Sequence, residues 1–146
     1  MSKRDISLYI VDTLIAIDKI KRYTAKYDDA EGLLASEEGW DATIRELEIV
    51  GEATKKLLAE GLLSPKYRRI VDFRNQINHA YFGIDEQIVW DVVTDKILAY
   101  EHDLIEIIGH HRIDLSHAID MVAKERQTSE KTKRFLARLR AELSAI

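Results

Sequence analysis

The chain has 146 residues, 22 Lys and Arg against 26 Asp and Glu, a formal net charge of -4, and 46% hydrophobic residues. That size and apolar content suit one folded domain and exclude a disordered acidic tail. One Pro and six Gly argue against a many-turned β-sandwich; the lack of Cys excludes a disulfide scaffold, thiolate catalysis and a Cys-based zinc site. No apolar run approaches the ~18 residues of a membrane span, and no secretory leader is legible, so a cytoplasmic location is expected.

The periodicity is helical from end to end. Between Asp5 and Tyr27, Ile6, Tyr9, Ile10, Leu14, Ile17 and Ile20 recur at the three-and-four spacing of a helix with one buried face. Asp28-Asp29 and Glu31-Gly32 read as a loop. A second helix fits Glu37 to Glu60, carried by Trp40, Ile44, Leu47, Val50, Ala53 and Leu57, with Gly61 as its stop. Ser64-Pro65 looks like a cap followed by Pro at the first helical position of a third helix, reaching about Tyr81. Asp85 caps a fourth, which runs to Gly109. The last stretch, Asp114 to Leu143, is helical with an interruption at Gln127-Thr128-Ser129.

Together these elements predict an all-α fold: an up-and-down bundle of four main helices, residues 1–112, with a helical extension, 113–146, in the same domain. Leu8, Val11, Ile15, Ile49, Trp90 and Val93 are apolar between the main stripes. Such a surplus calls for a second buried surface, and a symmetric homodimer is the simplest supplier. Trp40 and Trp90 are read as core or interface.

Charge is segregated along the chain. Asp28 to Glu48 holds eight acids against Arg45, whereas Lys124 to Arg140 holds seven bases against Glu125 and Glu130. The basic flank and apolar stripe of the C-terminal helix suggest that it docks on the acidic stretch. His102, Glu106 and His110 share a helix stripe but are read as solvent-facing, and no metal is expected. His111 and His117 carry no legible signal.

The densest polar cluster is Arg74-Asn75-Gln76-Ile77-Asn78-His79-Ala80-Tyr81. Histidine transfers protons near neutrality, and arginine offers a forked cationic donor for phosphate oxygens. Such a pair can cleave a phosphodiester whose nucleophile lies within the substrate, as a ribose 2'-OH does. Arg74 and His79 lie about 140° apart on a regular helix. They converge only if the helix distorts before Gly83 or if two copies of the chain build a composite cleft. An Arg paired to a neighbouring acid beside a His at a helix end is the plainer alternative on spacing alone.

The string Arg74-x4-His79-x-Tyr81 resembles the R-x4-H-x-Y signature of HepT-like toxins in the HEPN superfamily. Arg45 to Ala53, containing Val50-Gly51-Glu52-Ala53, resembles that family's "IGEA" helix, and Gly83-Ile84-Asp85 with Val89-Trp90 fits the pattern that follows. One departure is Tyr67, where a Trp is expected before the motif. The resemblance spans about Asp5 to His110 and implies a metal-independent endoribonuclease without cofactor, the toxin of a two-gene system. It implies that Arg74 binds the scissile phosphate, His79 acts as acid and base, and Asn75 and Asn78 support them. It further implies that an MntA-type nucleotidyltransferase antitoxin silences the enzyme by transferring AMP to Tyr81. The competing reading is a non-catalytic helical subunit that docks a nucleotidyltransferase or binds nucleotide.

Overall fold

The computed structural model describes residues 1–79 and 83–145, and every regular element among them is helical. In chain order these are α1 (Lys3–Thr24), α2 (Ala30–Ala35), α3 (Glu37–Ala59), α4 (Arg68–His79), α5 (Glu86–Asp91), α6 (Ile97–His110), α7 (Ser116–Ala123) and α8 (Glu130–Ser144). A 3-10 turn, Pro65–Tyr67, leads into α4, and a π turn, Val92–Lys96, joins α5 to α6. No described helix is long and apolar enough to cross a membrane.

α1 starts on a reciprocal cap. The Asp5 N–H donates to Ser2 Oγ at 3.1 Å, and the Ser2 N–H donates to the Asp5 carboxylate at 3.4 Å. Beyond the first turns the helix is buried on more than one face: Ile10, Val11, Leu14, Ile15, Ile17 and Ile20 all lie in the core. The reason is its position, because α3, α6, α7 and α8 all pack against it. α3 is its main partner and carries α4 on another face. The start of α3 is fixed by Ser36, whose hydroxyl accepts from the Gly39 N–H at 3.1 Å and from Tyr27 Oη at 2.7 Å.

Three features depart from the sequence reading. Residues read as a loop form α2, because Asp29 caps it through the Gly32 N–H at 2.7 Å and Leu33 is fully buried where α2 meets α5. The fourth predicted helix contains the π turn, whose wider winding keeps Val89, Val93 and Ile97 all facing the core. The C-terminal helix does dock, but on α1 and α7 rather than on the acidic Asp28–Glu48 stretch. Leu136 and Leu139 are buried there, and Arg22 of α1 donates to Thr132 Oγ1 at 3.1 Å. Apolar complementarity, not opposite charge, chose the docking site: each fully buried leucine contributes about 1.5–3 kcal/mol, against roughly 0–1 for an exposed ion pair.

That docking also absorbs part of the apolar surplus. Val11, Ile15 and Val93 are buried within a single chain, while Leu8, Ile49 and Trp90 stay half-buried. Trp40 and Trp90 both pack against the core.

Glu46 sits buried on α3, and burial raises its pKa above the ordinary 4.5, an effect only partly offset by Lys19, Arg45 and Arg22. The folded chain thus holds this proton more tightly than the unfolded one. Ionisation of Glu46 costs stability as pH rises above 4.5 and costs nothing well below it. Glu46→Gln is expected to raise the melting temperature at pH 7 by about 2–4 °C, with the gain vanishing at low pH. Melting curves at pH 7 and pH 4 check this; a loss of stability at pH 7 would mean that the carboxylate is held by favourable contacts.

Candidate functional site

The site is built where α4 crosses α3, and its geometry begins with a missing side chain. A methyl group on Gly51 would collide with Arg74 Cβ and stand 2.6 Å from Arg74 Cγ. Gly51 lies inside α3, so what the position needs is absence of volume rather than a special backbone angle. The gap lets the stem of Arg74 lie directly on α3. Glu52, the next residue, then meets the guanidinium, with Nη2 3.2 Å from Glu52 Oε2. On the other side Nη1 donates to Asn75 Oδ1 at 3.2 Å.

The ion pair is too exposed to matter much for stability: Arg74 and Glu52 keep 27% and 47% of their side-chain surface in water, and pairs of that kind contribute about 0–1 kcal/mol. Its consequence is orientation. Between them, Gly51, Glu52 and Asn75 fix both the stem and the two terminal nitrogens of Arg74. Of the five guanidinium N–H groups, that on Nε is buried and finds no acceptor among the described residues, while each terminal nitrogen carries a second donor. A guanidinium fixed in this way still has donor capacity for an incoming anion.

His79 is the last residue of α4, and it is exposed, as are Asn75 and Asn78. α4 is regularly α-helical from Arg68 through His79. Within one chain the imidazole therefore stands about 7.5 Å further along the axis than Arg74 and about 140° round it. The structure bonds Arg74 to Asn75 and sets Asn78 one turn on along the same side of the helix, while His79 points away from Arg74. Tyr81 lies outside the described residues.

The start of this helix is anchored from the opposite side. Tyr67 is buried, stacks on Tyr100 with ring centroids 4.8 Å apart, and donates its hydroxyl to Asp103. Tyr100 in turn shares a 2.9 Å hydrogen bond with Thr54 of α3, and burial pushes its phenol up to about 12. Position 67 thus acts as a structural peg for the helix that carries Arg74. Beside α4, a cleft of about 350 Å³ is bordered by Ile70, Phe73, Ile88 and Val92. His102 pairs with Glu106 at 3.1 Å on an exposed stripe, and among the described residues no cluster of three or more His, Cys, Asp or Glu could hold a metal.

Sequence reasoning found Arg74 and His79 through their chemistry but did not link Gly51 and Glu52 to Arg74. The signal was present as two separate motifs; only the crossing of α3 and α4 shows that one cradles the other.

Comparison with known proteins shows the family. Residues 13–110 match the family model described as "Ribonuclease HepT-like". The chain is 32% identical over 111 residues to "Putative RNase MJ0125" of Methanocaldococcus jannaschii, covering 74% of this chain and 95% of that protein. It is 34% identical over 98 residues to "Probable ribonuclease HepT" of Thermococcus cleftensis, covering 65% of this chain and 88% of the relative. No solved structure matches it. The match spans both α3, with the Gly51-Glu52 cradle, and α4, with Arg74 and His79, so the chain belongs to the HepT-like ribonuclease family.

Proposed function

We propose that this protein is an endoribonuclease toxin that cuts RNA at a cleft shared by two copies of the chain. The observation that carries the reading is Arg74, seated on Gly51 and held by Glu52 with part of its side chain open to water, on the same helix as an exposed His79. In the reaction His79 takes the proton from a ribose 2'-OH, and the freed oxygen attacks the adjacent phosphorus. The bond from phosphorus to the 5' oxygen breaks, a proton is delivered to that leaving oxygen, and the products are a 2',3'-cyclic phosphate and a 5'-OH. Arg74 stabilises the charge that builds on the phosphoryl oxygens. No step calls on a metal.

The regular course of α4 through His79 supports a composite site, since Arg74 and His79 of one copy diverge. In a two-fold dimer, Arg74 of one copy and His79 of the other can face one phosphate. The partly exposed Leu8, Ile49 and Trp90, and the exposed Ile88 beside the α4 cleft, are apolar surface available for such a contact.

Regulation by an MntA-type nucleotidyltransferase belongs to the same proposal. AMP attached to Tyr81, two residues after His79 in the sequence, would add bulk and negative charge that oppose RNA phosphate by contact and repulsion.

Purified protein is expected to cleave single-stranded RNA in the presence of EDTA, leaving cyclic-phosphate ends, and His79→Ala to abolish cleavage. Mixing inactive Arg74→Ala and His79→Ala chains should restore about a quarter of wild-type activity, because half the dimers are mixed and each has one intact site. Absence of His79-dependent cleavage would favour the binding-subunit reading; no recovery on mixing would confine the site to one chain.

Gly51→Ala tests the cradle. The helix gains about 1 kcal/mol from losing a glycine, while overpacking costs about 1–3 kcal/mol, so the fold should survive. Displacing Arg74 by about 1 Å should nevertheless lower cleavage roughly 100-fold. Wild-type rates in this variant would show that the close approach has no role in the reaction.

Tyr81→Phe should retain cleavage while escaping the cognate nucleotidyltransferase and ATP. Mass spectrometry after co-expression should find AMP on the peptide containing Tyr81; an adduct elsewhere would overturn this assignment.

A further inference from the structure

A second cleft lies away from the α3–α4 crossing, at the end of the bundle where α1 begins and α6 gives way to α7. It encloses about 530 Å³. Its floor is aliphatic, from Ile6, Leu62, Ile113 and Ala118, and its rim carries Lys3, Arg4 and Arg112 with the imidazoles of His111 and His117. Three permanent cations thus face one lining carboxylate, Asp114. That carboxylate is turned towards the start of α7, where it accepts from the Ser116 N–H at 2.9 Å, and these Ser116 bonds lower its pKa.

The cations are exposed, and none of the three enters an ion pair among the described residues. Arg4 reaches only Met121 Sδ, at 3.5 Å. Arg112 is held at φ 52°, the left-handed region, which glycine favours. Like charges gathered without counterions on one rim repel each other, and a polyanion relieves that repulsion. Every lining residue except Leu62 falls outside the matched segment 13–110.

We propose that this cleft is a second RNA-binding subsite, which holds a single-stranded segment of the substrate away from the scissile bond. Phosphates lie on the Lys3, Arg4 and Arg112 rim, while a base or ribose packs on the aliphatic floor, with the two imidazoles available for stacking. Gly51, against which Arg74 sits, is some 12 Å along α3 from its C-terminal end near Leu62, so the subsite engages RNA a few nucleotides from the cut. The proposal rests on the ribonuclease reading for its choice of polyanion. It predicts that long substrates bind far better than short ones.

The test uses the full chain with His79→Ala, so that RNA is bound but not cut, and a fluorescent 20-nucleotide single strand. Lys3→Ala, Arg4→Ala and Arg112→Gly are combined; glycine removes the charge while suiting the backbone angle at 112. Affinity should fall at least tenfold, and the slope of log affinity against log salt should shrink by about 2, at ~0.7 per lost phosphate contact. With His79 intact, the same three changes should leave cleavage of a trinucleotide unaltered. A control with Arg126→Ala, Lys131→Ala and Arg134→Ala removes equal charge at the other end of α7. The proposal is overturned if 20-nucleotide affinity and slope stay unchanged, if the control loses as much, or if trinucleotide cleavage falls equally. Displacement of the 20-nucleotide strand by millimolar AMP alone would overturn it in favour of a nucleotide pocket. A wild-type chain that binds the strand at this cleft but cuts no RNA would defeat the ribonuclease reading and leave the subsite standing.

Discussion

The fold depends on the burial of α1 on more than one face. A helix with apolar residues at Ile10, Leu14 and Ile17 and also at Val11, Ile15 and Ile20 cannot satisfy itself against one neighbour. It takes α3 as its long partner and α6, α7 and α8 around the rest. At about 1.5–3 kcal/mol for each large aliphatic side chain removed from water, this one helix supplies a large fraction of the favourable term in folding. Conformational entropy opposes it on a similar scale, so losing a covering helix would be felt throughout the chain.

That arrangement places the chemistry. With one face of α3 committed to α1, another is left for α4, and there Gly51 permits an approach that any larger residue would prevent. The charged Arg74 can lie at this crossing because its ends are met by Glu52 and Asn75 rather than left without partners. The other end of α4 is treated differently: His79 is exposed. One helix therefore presents a fixed cation and, at its end, an exposed imidazole. The peg at Tyr67, bonded to Asp103 and stacked on Tyr100, holds the start of the same helix so that its crossing with α3 does not slide.

The extension beyond residue 112 has two physical consequences. Its helices cover part of the apolar surface of α1, and its first turn completes the cationic cleft at the end of the bundle. Both follow from one docking event, in which Leu136 and Leu139 enter the core while Arg140 bonds to the carbonyl of Ser116 at 3.1 Å and to Asp120.

The sequence by itself determined the helical class and most helix positions, and it singled out Arg74 and His79 as candidates. It could do so because amphipathic spacing and caps are local: Ser2, Ser36 and Asp85 cap the helices whose starts they precede. It misread Glu31-Gly32 as loop because α2 is stabilised by burial of Leu33 at a distant helix, which no local propensity records. It sent α8 towards the acidic stretch because charge is legible along a chain, whereas the shape of an apolar surface is not. Only the tertiary structure decided that Gly51 and Glu52 meet Arg74, and that the start of α1 and residues 111–118 share one basic cleft. Those are contacts between segments far apart in sequence, and they exist only once α1 has gathered its neighbours around it.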